Sequence, residues 1–201
     1  MSLTKVQIIS NALLQLGHQP VVSLTDGDQL VVAAESAYDF LLPAVLSSGN
    51  WRFAVQIAQL SYLNETPPYP WSSVYLLPAG YLKNLRLYPN IYDYDIYNNS
   101  RIYTYYPNTA QPLMMEYVFQ PDVSMLPAHF VQYFIYEIAA FLALSNAQNT
   151  SYYQVLEAKR MNLMALANAI ETQNRPQFSQ INFPMLDNRY VSTLVGNSFN
   201  M

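Results

Sequence analysis

The sequence predicts an α+β protein in which a helical bundle of about four helices carries an inserted antiparallel β domain and an extended C-terminal tail. Apolar residues recur at spacings of three and four in residues 1–50 and 121–170, which is typical of amphipathic helices. Residues 51–120 hold short runs of tyrosines and other apolar residues separated by prolines, which favours strands. Residues 171–201 are rich in Asn and Gln, and we expect them to form the tail.

The first helix has a clear start and a clear stop. Thr4 with Gln7 three residues later forms a capping box, and Gly17 provides the stop signal. Its predicted apolar stripe is Val6, Ile9, Leu13 and Leu16.

The second helix is predicted to begin after Asp28, which serves as the N-cap, and to end at Ser47, Ser48 and Gly49. Pro43 lies inside the pattern, where it removes a backbone hydrogen bond and is expected to kink the helix. The stripe consists of Val31, Ala34, Tyr38, Leu41 and Val45.

Four strands are predicted in the middle of the chain because aromatic and β-branched residues cluster there between prolines. The predicted strands are residues 81–88, 91–97, 101–106 and 113–119.

Two further helices follow the β-rich segment. The third is predicted to place Phe130, Phe134, Ile138, Phe141 and Ser145 on one face, with Ala139, Ala140 and Ala143 allowing a neighbouring helix to approach closely. The fourth is predicted to start at Ser151 and to carry Tyr152, Leu156, Leu163, Leu166 and Ile170. Lys159 falls on that stripe, so its ammonium group must reach solvent or a carboxylate.

The tail adds scattered apolar residues that we expect to order only against a partner: Phe178, Phe183, Leu186, Tyr190 and Phe199.

Charge and composition argue against several classes of protein. The net charge is -4, and no basic stripe typical of nucleic-acid binding is visible. No run of 18 apolar residues and no signal peptide is evident. We therefore expect the protein to be made in the cytoplasm and not to associate with a membrane. Cysteine is absent, which excludes disulfides and thiolate metal sites.

No catalytic, cofactor-binding or metal site is predicted, and we expect the protein not to be an enzyme. The two histidines, His18 and His129, are predicted to be exposed or next to a helix cap. Asp93 and Asp95 resemble part of a calcium loop, but the central glycine is missing and Thr104 stands where the loop needs Glu. The five glycines form no phosphate-binding loop, which argues against nucleotide chemistry and cofactors.

The tyrosines allow two interpretations. Aromatic rings on a sheet can stack against sugars, so a carbohydrate-binding module is the alternative function. Tyrosines at alternate positions, as in the pairs Tyr92 and Tyr94 or Tyr103 and Tyr105, also fit a sheet that packs on a core and on a neighbouring subunit. We favour the packing interpretation.

An unusually low content of charge indicates an assembly subunit. Charged residues make up 11% of the chain, against roughly a quarter in ordinary domains. On the second helix Ala33, Ala37, Phe40 and Ala44 widen the apolar surface beyond one stripe, which is typical of a helix covered on two sides. In a ring the second side would contact the next subunit head to tail.

The order of several landmarks resembles the tail tubular protein A family of short-tailed bacteriophages. The landmarks are Ala12-Leu13, Leu16-Gly17, Ser23-Leu24, Asp26, Ala34, Tyr38-Asp39, Trp51-Arg52-Phe53-Ala54, Leu60, Pro70-Trp71, Tyr75, Leu77-Pro78, Leu82, residues 113–117 and 127–130, and Leu142-Ala143. The resemblance covers about residues 3–170 and departs from the family at Ala79-Gly80-Tyr81 and in the C-terminal tail.

The resemblance implies a structural virion protein of the tail neck, present in the host cytoplasm during assembly. Members of the family are adaptors, or head-to-tail connectors, that form a homo-oligomeric ring, twelvefold by resemblance, on the portal protein. The ring extends the DNA channel, supports the tail nozzle protein and often helps to attach fibres or spikes. Genome DNA is expected to pass through the lumen without specific binding, consistent with the acidic, arginine-poor chain. A completion protein of a long-tailed phage is a further alternative.

Overall fold

The structure, a computed structural model, has four α-helices and two antiparallel sheets in the residues that it describes, so the predicted α+β class is confirmed. It describes residues 3–24, 28–91, 93–98, 100–107, 109, 111–145 and 150–173. The helices are α1 (Lys5–Gln15), α2 (Gln29–Ser48), α3 (Ala128–Ser145) and α4 (Thr150–Gln173). The strands are β1 (Val55–Gln59), β2 (Ser61–Leu63), β3 (Ser73–Leu76), β4 (Tyr81–Tyr88), β5 (Tyr94–Tyr97), β6 (Arg101–Thr104) and β7 (Met114–Phe119).

Both ends of α1 follow the sequence signals. The Thr4 hydroxyl accepts from the Gln7 backbone N–H at 3.3 Å, and the Gln7 side chain accepts from the Thr4 N–H at 3.1 Å. Gly17 follows the helix at φ +84°, a left-handed conformation that favours glycine. Ile9 and Leu13 of the predicted stripe are buried. The capping box and the stop are therefore confirmed.

The helix α2 confirms its predicted cap and its complete stripe. The Asp28 carboxylate accepts from the Leu30 backbone N–H at 3.0 Å. All five predicted stripe residues are buried. Pro43 lies inside the helix, which continues to Ser48 and is capped by Gly49.

In length and apolar composition, α2 alone among the helices of the described residues could cross a membrane. The same properties characterise a core helix, and 44% of its apolar window is buried inside the protein. We therefore interpret α2 as a core helix with one face left uncovered.

The strands form two sheets, and all seven lie between α2 and α3 in sequence. A three-stranded sheet has the order β1-β7-β4, and a four-stranded sheet has the order β2-β3-β6-β5. Residues 81–88 form β4 as predicted, whereas β5, β6 and β7 are shorter than predicted. The strands β1, β2 and β3 were not predicted, because pairing with distant strands stabilises these short segments despite their weak local signal.

The three-stranded sheet lies between the helices and the four-stranded sheet. Val118 of β7 belongs to the core that the helices form. Met115 and Tyr117 of the same strand belong to a second core, which they share with Leu60 and with Ile102 of β6. The alternation of side chains along β7 therefore connects the two cores.

The predicted faces of α3 and α4 need correction. Phe130, Phe134 and Ile138 are buried, but Phe141 is 43% exposed. On α4, Leu166 is 54% exposed, and the buried positions are Leu156, Ala167 and Glu171. Lys159 is exposed with its ammonium group 5.8 Å from the Tyr136 ring centre, whereas Arg160 lies against α3. The face of α4 is chosen by its contact with α3, where Ala139 and Ala140 allow the predicted close approach.

The C-terminal boundary also differs from the prediction. The helix α4 continues to Gln173, three residues into the predicted tail, because the Glu171 side chain is buried and hydrogen-bonded. Predictions for residues 174–201 and for the side chain of Ser145 lie outside the described residues.

Trp51 joins the end of α2 to the rest of the helical core. Its side chain is 1% exposed, and its indole N–H donates to the Val45 carbonyl at 2.9 Å. The ring centre lies 4.9 Å from that of Phe130 in an edge-on contact and 5.8 Å from that of Tyr133 in a stacked one. A Cβ atom at Gly49 would overlap three atoms of the indole. Glycine is required there by space, not by conformation.

We expect Gly49→Ala to lower the free energy of unfolding by about 1–3 kcal/mol, because the added methyl displaces a fully buried indole. The measurement is urea unfolding followed by circular dichroism.

A double-mutant cycle with Trp51→Phe is the control. If the cost comes from the indole, Gly49→Ala should destabilise the Trp51→Phe background much less than the wild type. Equal costs in both backgrounds would contradict the proposed clash.

Candidate interaction surfaces

A buried carboxylate joins three elements at the end of α4. One Glu171 oxygen lies 2.7 Å from His129 Nε2, and the other accepts from the Arg52 backbone N–H at 2.6 Å. Glu171 is 4% exposed, and the His129 side chain is 18% exposed. His129 lies in the first turn of α3, so its predicted place next to a helix cap is confirmed, and its side chain is partly buried. His18 is exposed after Gly17, as predicted.

Sequence reasoning missed Glu171, although a signal existed. Glu171 lies four residues after Ala167 and eight after Leu163, so helical periodicity places it on the buried face. The arrangement ties the end of α4 to the start of α3 and to the residue after Trp51. We interpret it as structural support.

A second polar network holds α4 against α3. Arg160 donates to Glu157 at 2.8 and 2.6 Å and to Glu137 of α3 at 2.9 Å. The Tyr133 hydroxyl donates to the same Glu137 oxygen at 2.7 Å. The hydrogen bond from Arg160 lowers the pKa of Glu157. The pKa of Tyr133 is raised, mainly by burial of its hydroxyl and also by its hydrogen bond to Glu137. Most charges of α4 are thus used inside the protein.

A cleft of about 210 Å³ opens beside Trp51, and it contains charged groups that are already paired. Arg52 lies 3.5 Å from Glu116, whose other oxygen accepts from the Tyr88 hydroxyl at 2.9 Å. Arg86 also lines the cleft. Both oxygens of the Glu116 carboxylate therefore have partners within the chain.

The acidic pair near β5 is built into the sheet. The Asp93 carbonyl accepts from the Thr104 hydroxyl at 3.1 Å, and the Asp95 carboxylate accepts from the Ile96 N–H at 3.1 Å. Asp95 lies within β5, and the chain turns after this strand at Asn98, which has φ +55°. Within the described ranges no three His, Asp or Glu side chains group together as metal ligands. The absence of a metal site stays a prediction.

The first exposed apolar surface combines α2 and α3, and we call it the α2–α3 surface. Its residues are Ala33, Phe40, Ala44, Phe141 and Leu144, all of which are exposed. Phe40 is 64% exposed and Leu144 is 61% exposed. The rings of Phe40 and Phe141 contact each other across the two helices with centres 6.3 Å apart. The sequence predicted the α2 part of this surface, apart from Ala37, which is buried.

The second exposed surface is the outer face of α4, which we call the α4 surface. It consists of exposed residues at helical spacing: Val155, Ala158, Lys159, Asn162, Ala165, Leu166 and Ala169. Val155 is 52% exposed and Leu166 is 54% exposed. Lys159 is the one charged residue among them, because Glu157 and Arg160 pair with each other and Glu171 is buried. A 24-residue helix with so little charge on its outer face is typical of a covered helix.

The outer face of the four-stranded sheet carries aromatic rings, and we call it the aromatic face. Trp71 and Tyr105 lie with ring centres 5.0 Å apart, and Tyr97 and Tyr103 lie 5.2 Å apart. Tyr97 is 45% exposed and Tyr105 is 50% exposed. A hydrogen bond with Asp95 raises the pKa of Tyr97, because ionisation would place a second negative charge beside that carboxylate.

Not every predicted tyrosine lies on that face. Tyr94 is partly buried against the second core, and its hydroxyl accepts from the Asn84 side chain at 2.8 Å. Tyr92 lies outside the described residues. The alternation of inward and outward side chains is confirmed for β6, where Ile102 and Thr104 are buried and Tyr103 is partly exposed.

Comparison with known proteins gives no assignment for these surfaces. No protein-family model matches the sequence. No curated protein matches it either. The three surfaces are therefore interpreted from their own residues.

We expect Arg160→Met to lower the free energy of unfolding at pH 7 by about 1–2 kcal/mol, because Glu137 and Glu157 lose their shared partner while partly buried. The folded-state pKa of Glu157 is lowered from an ordinary value of 4.5, so its stabilisation is present above that value and is lost as the pH falls through the lower folded pKa. The difference between wild type and variant should shrink below pH 4.5. Urea unfolding at several pH values measures it.

Lys159→Met is the matched control, because it removes the neighbouring, exposed charge. We expect a change within about 0.5 kcal/mol. A larger loss for Lys159→Met than for Arg160→Met would contradict the assignment of Arg160 to the α3 contact.

Proposed function

We propose that this protein is a structural subunit of the tail of a short-tailed bacteriophage, an adaptor that forms a homo-oligomeric ring on the portal. The observation that carries the proposal is the pair of exposed, nearly uncharged helical surfaces on α2–α3 and on α4. A solitary molecule gains nothing from such surfaces, whereas a closed assembly covers them. The resemblance to the tail tubular protein A family adds the role and the partners.

We propose a separate role for each of the three predicted segments of the chain. Residues 1–50 and 121–170 form a helical domain that contacts the portal and builds the ring wall. Residues 51–120 form an inserted domain that projects toward the tail nozzle and any fibres or spikes. The C-terminal segment, predicted as residues 171–201, contacts the portal or a neighbouring subunit.

The charge distribution supports a channel through which DNA passes without being bound tightly. The chain carries 9 basic and 13 acidic residues. Several basic side chains pair with carboxylates of the same chain, as Lys5 does with Glu35 and Asp39 and Arg101 does with Glu65. Phosphate contacts with Lys and Arg would slow the passage of DNA, and ion pairs with carboxylates occupy four of the seven basic side chains among the described residues.

We expect the purified protein to form rings in negative-stain electron microscopy, either alone at high concentration or on the portal protein of the same phage. Phe40→Asp or Leu144→Asp should weaken assembly by about tenfold or more, because a carboxylate would be buried in an apolar contact.

Val22→Asp is the control, since Val22 is 90% exposed and lies outside the three surfaces. It should assemble like the wild type, and circular dichroism should show all variants folded. A wild type that remains monomeric with and without the portal would contradict the proposed ring.

Carbohydrate binding is the second candidate, and the aromatic face favours it. Trp71 and Tyr105 present adjacent rings beside the exposed Tyr97, an arrangement on which sugar rings can stack. The carboxylate of Asp95 lies on the same part of the sheet and can accept sugar hydroxyls.

We expect no glycan binding on an array of bacterial surface polysaccharides if the aromatic face only contacts other proteins of the tail. Binding by the wild type that is lost in Trp71→Ala and Tyr105→Ala, with ring assembly unchanged, would support the second candidate instead. Tyr94 is unsuitable as a probe because it packs against the second core.

A further inference from the structure

We propose that the cleft beside Trp51 is a docking site for an acidic segment of another protein, in which carboxylate side chains lie next to aliphatic ones. A carboxylate of the segment binds the guanidinium groups of Arg52 and Arg86, and its aliphatic side chains contact Leu85 and Ile57. This site lies apart from the α2–α3 and α4 surfaces, and it does not require that the protein form a ring.

The floor of the cleft is one face of the three-stranded sheet, and the helices cover only part of that face. Val118 of β7 is 2% exposed and packs in the helical core. Glu116, two residues before it, lies on the same face, and its neighbours across the sheet are Ile57 of β1 and Arg86 of β4. Ile57 is 54% exposed, and Arg86 is exposed. This part of the face is therefore open to a partner.

An irregularity in β4 places an aliphatic and a basic side chain together at the cleft. The register between β4 and β7 shifts between Asn84 and Arg86. Such a bulge re-aims side chains, and the consecutive residues Leu85 and Arg86 both line the cleft. Leu85 is 40% exposed. The strand thus presents an exposed apolar group directly beside a guanidinium group.

The cleft contains more positive than negative charge. Among the described residues that line it, Arg52 and Arg86 share one carboxylate, that of Glu116. Arg52 lies 3.5 Å from this carboxylate, and the second carboxylate oxygen is used by the Tyr88 hydroxyl. The Arg86 guanidinium lies 5.8 Å from the Tyr88 ring centre and forms no ion pair with any described residue. A second carboxylate, supplied by a partner, would balance the charge.

Two of the three described basic side chains without an ion pair lie on this face of the sheet. The three are Lys83, Arg86 and Lys159. Lys83 is paired in register with Val118, in the row next to Arg86, and its ammonium donates to the Ser47 carbonyl at 3.2 Å. A chain with a net charge of -4 therefore concentrates unbalanced positive charge at one place. Charge complementarity indicates an acidic occupant.

The groups around the guanidinium groups favour a protein segment over other polyanions. The Glu116 carboxylate at the floor would repel the closely spaced phosphates of a nucleic acid. Trp51 is 1% exposed, and the Tyr88 ring has a guanidinium group over it, so neither ring is free to stack on a sugar or a base. The exposed aliphatic groups of Leu85 and Ile57 instead suit the side chains of a peptide.

The C-terminal segment of the chain itself does not match the cleft in charge. Residues 174–201 carry Arg175 and Arg189 against a single acidic side chain, Asp187. A segment with this balance would add positive charge to a cleft that already has an excess of it. We therefore assign the cleft to a separate protein.

The two tryptophans provide a local probe of the cleft. Trp51 lines it, whereas Trp71 lies on the aromatic face. We expect a short blocked peptide of alternating glutamate and leucine to shift the indole N–H signal of Trp51, and not that of Trp71, in NMR spectra of the isotope-labelled full chain. Trp71→Phe identifies the two signals. The same peptide with glutamine in place of glutamate should cause no shift.

Substitutions at the cleft should change the affinity for this peptide in opposite directions. Arg86→Gln should weaken binding by about tenfold, because a charge-assisted hydrogen bond is lost. Glu116→Gln should strengthen binding by about threefold, because the competing carboxylate is removed while an amide oxygen can still accept from Tyr88. Lys159→Gln is the matched control, since it removes one exposed positive charge on α4, and it should bind like the wild type.

Loss of affinity in Arg86→Gln together with a gain in Glu116→Gln would support the site, and failure of either change would overturn it. Absence of any Trp51 shift with millimolar peptide, in the wild type and in Glu116→Gln, would also overturn it.

Other occupants give different results in the same experiment. A larger Trp51 shift with single-stranded DNA or with polygalacturonate than with the peptide would assign the cleft to that polymer. A Trp51 shift on dilution of the protein alone would assign it to a second copy of the chain. Each of these results would overturn the acidic protein segment. Ring formation is measured separately by electron microscopy, so the proposed function can stand or fail independently of the cleft.

Discussion

The rest of the structure depends on the packing of Trp51 at the junction between the helices and the sheets. The chain leaves α2 at Gly49, buries the indole between Phe130 and Tyr133, and enters β1 within a few residues. The Arg52 backbone then donates to Glu171, so the end of α4 is fixed at the same point. The Trp51 side chain, together with the lack of a Cβ atom at Gly49, therefore sets how the helices and the sheets meet.

Most charged groups of α4 hold this helix against its neighbours. Arg160, Glu137 and Glu157 hold α4 on α3, and Glu171 holds its C-terminal end. Charges used between elements in this way are not available to solvate the outer faces. Because the few charged groups lie between elements, the outer faces of α2, α3 and α4 are largely apolar. These apolar faces link the fold to the proposed assembly.

Local signals predicted much of the helical part. The Thr4 box, the Asp28 cap, the α2 stripe and the strand at residues 81–88 appear in the structure as expected. The strands β1, β2 and β3 and the burial of Glu171 beside His129 were missed, because each depends on a partner far away in sequence. Of the candidate surfaces, the α2 half was predicted, whereas Phe141 and Leu166 were assigned to the core and Leu144 was assigned to neither.

The sequence by itself determined the α+β class, the capped helices and the shortage of charge, because these follow from local periodicity, end signals and composition. Only the tertiary structure decided which faces are covered. The α4 stripe shows the reason: Leu156 and Leu166 are equally apolar, but the close approach permitted by Ala139 and Ala140 buries the first and leaves the second exposed. Burial depends on the shape of the neighbour, and that shape is not written in the periodicity of one helix.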